Sequence, residues 1–112
     1  MPPIYYYHKE TNDVEEIVIQ GTPLGAMRNA KYQTVEKELK SGDTILLLTD
    51  GLPEQMNDKE EMFDYGRVKE HFNQVIESPA NTIIEKLVAA GDSWMNGKSQ
   101  DDDITFVVIR VK

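Results

Sequence analysis

One run of residues constrains this chain more than any other. Ser41-Gly42-Asp43, a turn sequence, opens onto Thr44-Ile45-Leu46-Leu47-Leu48-Thr49, and Asp50-Gly51 stops it abruptly. A continuous apolar run of strand length is expected to be buried on both faces. Its end then sets the Asp50 carboxylate at the rim of a sheet, where Gly51 lets the backbone turn sharply or approach a ligand closely.

The remaining segments supply partners for that strand. Ile4-Tyr5-Tyr6-Tyr7 and Val14 to Ile19 are strand-like and are joined through the turn residues Thr11-Asn12-Asp13, which predicts a hairpin. Gly21-Thr22-Pro23-Leu24-Gly25 interrupts the pattern, and Tyr32 to Leu39 alternates imperfectly, which predicts a further strand. Val68, Phe72, Val75 and Ile76 share a helical face. After Ser78 as N-cap and Pro79 at the first helical position, so do Ile83, Ile84, Leu87, Val88 and Trp94. The acidic stretch from Leu52 to Tyr65, with Met56, Met62 and Phe63 as anchors, is expected to be a mobile surface segment of short helical turns. Ile104 to Val111 is expected to be a core strand. With 112 residues and 39% hydrophobic content there is room for one core. The order predicts an α+β fold, a mostly antiparallel β-sheet with two amphipathic helices packed on it.

The chemistry open to such a chain is narrow. It has no cysteine, so disulfides, thiolate zinc sites and cysteine nucleophiles are excluded. Its two histidines, His8 and His71, are too scattered for a histidine metal site and are read as surface or boundary residues. A net charge of -8 argues against nucleic acid and favours hard cations. The run Ile45 to Leu48 is far too short to span a bilayer, and no signal-peptide pattern is seen, so a cytoplasmic protein without membrane contact is expected.

Asp101-Asp102-Asp103 immediately precede the last strand, and three adjacent carboxylates repel unless a cation, a basic neighbour or open solvent relieves them. If the two apolar strands are antiparallel neighbours, the end of the first lies beside the start of the second, bringing Asp50 near Asp102. Mg²⁺ or Mn²⁺ would suit such oxygen donors. The bland reading stands beside it: Asp-Gly after a strand is a common turn, and acidic runs before strands are usually solvated loops. For Asp58-Lys59-Glu60-Glu61 the solvated reading is favoured, as it is for Lys98 and Arg110 over phosphate contacts.

Gly42-Asp43, then Ile45 to Leu52 and Glu54, resemble the "GD-x-hydrophobic-TDGhxE" block of SpoIIE-type serine/threonine phosphatases in the metal-dependent PPM (phosphatase 2C-like) superfamily. Pro2-Pro3-Ile4-Tyr5, Pro23-Leu24-Gly25 and Gln100-Asp101-Asp102-Asp103-Ile104-Thr105 resemble three further blocks of the family, in order. The resemblance implies that residues 1–112 are the C-terminal portion of a SpoIIE-type domain, with a partial phosphatase 2C-like β-sandwich. The family's N-terminal half and its two further aspartates would precede the point matched by Met1. It implies a metal set of Asp50 with Gly51 as its backbone partner, and Asp102 with Asp103 beside it. Asp101 would be a neighbour only. It further implies two Mn²⁺ or Mg²⁺ ions, metal-bound water as the nucleophile, and a phosphorylated STAS-type anti-anti-sigma protein as substrate in bacterial signalling. The isolated portion is expected to be inactive. Phe63-Asp64-Tyr65-Gly66-Arg67-Val68 departs from the family's "FG-x-ERL" pattern. The rival reading is a non-catalytic module that binds a partner, or forms a homo-oligomer, through an exposed sheet edge.

Overall fold

The apolar run lies inside a sheet. In the computed structural model, which describes residues 2–19, 25–29 and 31–112, the elements are β1 (Ile4–His8), β2 (Asp13–Ile17), β3 (Thr44–Leu48), α1 (Tyr65–Gln74), α2 (Ala80–Met95) and β4 (Phe106–Arg110). The strands form one antiparallel sheet in the order β2-β1-β3-β4, so β3 is flanked on both sides. Residues 20–24, and with them most of the Gly21 to Gly25 stretch, lie outside the described residues. No described helix is long and apolar enough to cross a membrane.

Side chains alternate between the faces of a strand. The pairs Tyr5↔Leu46, Tyr7↔Thr44, Leu46↔Val108 and Leu48↔Phe106 therefore set Tyr5, Tyr7, Leu46, Leu48, Phe106 and Val108 on one face. Helices α1 and α2 cover that face with Val68, Phe72, Ile83 and Leu87. Leu52 and Phe63, from the connection between β3 and α1, complete the core. At roughly 1.5–3 kcal/mol for each large apolar side chain removed from water, this is the main stabilising contribution.

Among the described residues no helix covers the opposite face. Ile4, Tyr6, Ile17, Ile45, Leu47 and Ile109 lie there, and residues 31–40 run across part of it, with Val35 and Leu39 lining the same groove. The strand expected over Tyr32 to Leu39 is not formed: residues 31–40 have no regular structure and are exposed throughout. The segment lies over the sheet's face, tethered by the Tyr6 hydroxyl donating to the Glu38 carbonyl (3.3 Å) and by the Lys37–Glu15 ion pair (2.7 Å). A strand needs a sheet edge for its peptide groups, and this path offers none. For the same reason β3 is not buried on both faces. Thr44 and Leu46 are buried, whereas Ile45, Leu47 and Leu48 are half-buried. β4 is an edge strand and not a core strand, with Val107 and Ile109 exposed.

Two other expectations change. The Leu52 to Tyr65 connection is in part packed: Leu52, Gln55 and Phe63 are buried, and Met56 and Met62 form an isolated bridge, while Asp58 to Met62 are exposed as expected of a surface segment. At α2 it is Pro79 that occupies the cap position, without a side-chain hydrogen bond, while the Ser78 carbonyl accepts Arg110 Nη1 at 2.6 Å. That bond gives Arg110 a structural role.

Asp43 closes the turn before β3. It is buried and accepts hydrogen bonds from the Tyr6 hydroxyl (2.6 Å), the Lys9 amide (3.0 Å) and the Lys40 amide (3.2 Å). Burial alone would raise its pKa, but these donors outweigh burial and hold the carboxyl below its usual range. Burial, then the bond to Asp43, pushes the Tyr6 phenol up to about 12. Asp43 therefore contributes stability above the ordinary carboxylate pKa that is lost as pH falls through its lowered value. Tyr6 contributes stability below its ordinary value, lost as pH rises through about 12. Asp43→Asn should cost about 1–3 kcal/mol at neutral pH and flatten the acid limb of a urea-denaturation series; an unchanged acid limb would show that Asp43 is not the group responsible.

The departure at Asp64 has a local consequence. Asp64 caps α1, its Oδ1 accepting the Tyr65 amide at 2.7 Å, but its backbone sits at φ 75, ψ 156. That region is almost exclusive to glycine, the residue the family usually has there, and costs an L-residue about 1–3 kcal/mol. A glycine loses only a few tenths of a kcal/mol as a cap. Asp64→Gly should therefore stabilise the chain by about 1 kcal/mol in equilibrium denaturation.

Candidate functional site

The site follows from the β3–β4 pairing. The ladder ends at Leu48↔Phe106 and continues as two further bonds. The Thr49 amide donates to the Thr105 carbonyl (3.1 Å), and the Thr105 amide donates to Thr49 Oγ1 (3.0 Å). One step on, Gly51 is buried against the backbone of Asp103. A Cβ at residue 51 would overlap the Asp103 carbonyl oxygen and lie 2.9 Å from its carbonyl carbon. The segment 49–51 thus lies alongside 103–105, and the Asp-Gly turn meets the acidic triplet at one rim, as antiparallel pairing predicted.

Asp50, Asp102 and Asp103 are all exposed there. Asp102 Oδ1 accepts the Asp103 amide (2.8 Å), and the Asp50 carbonyl accepts the Glu54 amide (3.0 Å). Among the described residues none of these three carboxylates has a basic partner; the cation at the cluster, Lys98, lies 3.7 Å from Asp101. The residues fit a hard divalent cation in kind: they are oxygen donors with uncompensated charge, around a glycine cradle that a Cβ would fill. Among the described residues, no group of three or more His, Asp or Glu is arranged to hold a metal ion.

Two neighbours of this rim escape sequence reasoning. Tyr65, at the start of α1, has its phenol pushed up by burial and then by Glu54, Asp50 and Asp64, so its hydroxyl stays protonated near the acidic rim. Gln55 is fully buried and bonds to Asp101, 46 positions away. Neither contact has a sequence signal, because each depends on how the connection folds back. His8 and His71 are half-buried and stack on Tyr6 and Phe63, away from this rim.

The sequence matches the family described as stage II sporulation protein E (SpoIIE) over residues 1–112. The chain belongs to the SpoIIE family. It is 26% identical over 113 aligned positions to phosphoserine phosphatase RsbU of Bacillus subtilis (strain 168), covering 98% of this chain and 32% of RsbU. The SiaA-PP2C domain of Pseudomonas aeruginosa superposes with a TM-score of 0.76 at 24% identity, covering 98% of this chain and 43% of that one. The phosphatase domain of the cell fate determinant SpoIIE from Bacillus subtilis, Mn presoaked, gives 0.66 at 18% identity, covering 97% and 46%. The α+β sheet-and-helix arrangement is therefore that of PP2C-like domains. The chain spans about a third of RsbU and under half of either solved domain chain.

The Gly51 cradle is directly testable. Gly51→Ala should cost about 1–3 kcal/mol, because the Asp103 backbone must move to admit the methyl group. Amide hydrogen exchange should accelerate at residues 101–105 while the β1–β2 hairpin keeps its protection.

Proposed function

We propose that this chain is the C-terminal portion of a metal-dependent protein serine/threonine phosphatase domain in bacterial signalling, with Asp50 and Asp102 as its metal ligands. The observation that carries this reading is the backbone contact of Gly51 with Asp103, which brings the Asp-Gly turn and the acidic triplet to one rim. Membership of the SpoIIE family and the likeness to RsbU, a phosphoserine phosphatase, support phosphoserine or phosphothreonine as the substrate group. The family resemblance supports a STAS-type anti-anti-sigma protein as its carrier. Mn²⁺ or Mg²⁺ is favoured by the all-oxygen donor set, and the solved SpoIIE domain was presoaked with Mn.

In this reading Gly51 allows the two acidic segments to approach. Asp50 and Asp102 each offer a carboxylate, and Asp103 orients its neighbour through its amide bond to Asp102 Oδ1. Two cations in such a site supply neutralisation of phosphoryl charge and activation of water. Two carboxylates bind a divalent ion weakly without further ligands. This chain alone is accordingly expected to hydrolyse little or no phosphopeptide.

A second reading rests on β4. Its outer edge is unpaired among the described residues, and Val107 and Ile109 are exposed beside it. Such an edge suits strand addition by a partner or a second copy. The readings part on metal dependence. Millimolar Mn²⁺ should raise the melting temperature of the chain saturably, and an Asp50→Asn, Asp102→Asn double variant should lose the rise. No response in the unmodified chain would count against the metal reading and favour the edge-binding one.

A further inference from the structure

The acidic triplet is held from behind by a residue outside the matching blocks. Gln55 has no exposed surface, and each of its polar atoms is engaged. Its Nε2 donates to Asp101 Oδ2 (3.1 Å) and to the Met56 carbonyl (2.9 Å), while its Oε1 accepts the Asp101 amide (3.0 Å). The Met56 amide donates to the same Asp101 Oδ2 (3.3 Å). The Gln55 backbone is pinned as well, its amide donating to the Leu52 carbonyl and its carbonyl accepting the Phe63 amide and Trp94 Nε1. Trp94 lies on α2 and packs edge-on against the buried Phe63, so the glutamine is anchored to the helical layer.

Asp101 is the residue before Asp102. A two-point bond to its amide and its carboxylate fixes both the position and the rotation of the chain as it enters Asp102-Asp103. The other side-chain bond from outside the triplet to Asp102 is weaker support, since the Gln100 side chain donates to the Asp102 carbonyl (2.8 Å) and both residues are exposed. A buried amide that satisfies all its partners is costly to disturb, because each bond removed leaves a desolvated group unpaired.

We propose that Gln55 is a positioning residue for the acidic rim: through Asp101 it holds the backbone of Asp102 and Asp103 against the Asp50-Gly51 turn. This rests on the reading of Asp50 and Asp102 as metal ligands for its functional meaning, though not for the latch itself. Asp101, the first of the three aspartates, is then a structural tether whose charge faces Gln55, Met56 and Lys98 and is spent on holding the other two in place.

The test compares the unmodified chain with Gln55→Glu, Asp101→Ala and the double variant Gln55→Glu, Asp101→Asn by amide hydrogen exchange and Mn²⁺ titration. Gln55→Glu sets two carboxylates together, whereas Asn at 101 restores one donor opposite the new acceptor, the bonds of the Met56 carbonyl and amide remaining broken. Asp101 is exposed, so Asp101→Ala keeps the fold even where a change at Gln55 does not. The latch requires exchange at residues 101–105 to rise at least tenfold in Gln55→Glu and in Asp101→Ala relative to β1, and to fall measurably below the Gln55→Glu level in the double variant. Unchanged exchange in Asp101→Ala, or no recovery in the double variant, would overturn the latch even if Mn²⁺ binding is normal. A positioning role further requires Mn²⁺ affinity to fall at least tenfold with each single variant and recover with the double; loosening without loss of affinity would overturn that role. Failure of the unmodified chain to bind Mn²⁺, with the exchange pattern as expected, would instead overturn the metal reading and leave the latch standing.

Discussion

The geometry of the acidic rim depends on one backbone contact, the approach of Gly51 to the carbonyl of Asp103 at the end of the β3–β4 ladder. Strand pairing alone aligns Leu48 with Phe106 but does not decide where the chain goes afterwards. The two threonines extend the pairing by one step, and the missing side chain at residue 51 permits the next. A side chain at residue 51 would have to displace the Asp103 backbone and loosen the approach of the turn to the acidic triplet.

The rest of the molecule keeps that contact in register. β3 is held between β1 and β4, and the turn that precedes it is closed by Asp43, whose buried carboxylate gathers donors from β1, from the following turn residue Lys9 and from residue 40. On the other side, the connection from Leu52 to Phe63 is drawn into the core by its two apolar ends and leaves Gln55 facing Asp101. The carboxylates of Asp50, Asp102 and Asp103 stay exposed at the rim, without a basic partner among the described residues. The apolar layer lies between helices and sheet, and the Asp50, Asp102 and Asp103 carboxylates lie outside it at the rim.

The sheet has one finished face and one unfinished one. Tyr5, Tyr7, Leu46 and Val108 are covered by helices, whereas Leu47, Val107 and Ile109 look outward from the other face, which among the described residues is crossed in part by residues 31–40. In the PP2C-like domains that this chain resembles it accounts for under half of the chain length.

Local order was legible in the amino-acid sequence: the hairpin, the central apolar strand, both amphipathic helices and the final strand, because their side-chain periodicity reflects which face is buried. The pairing of Asp50-Gly51 with the acidic triplet was legible too, since a strand end followed by Asp-Gly and a strand start preceded by aspartates must meet if the strands are antiparallel neighbours. Tertiary structure decided what periodicity does not carry. Residues 32 to 39 alternate almost as a strand does, yet their path runs across the face of the sheet and not along one of its edges, so their peptide groups meet no ladder. The acidic connection from Leu52 to Tyr65 looked solvated by composition, but Leu52 and Phe63 pull it inward and bury Gln55 between them. A glutamine's partner 46 positions away leaves no trace in local pattern, because a hydrogen bond depends on where two atoms arrive in space and not on the spacing of the residues that carry them.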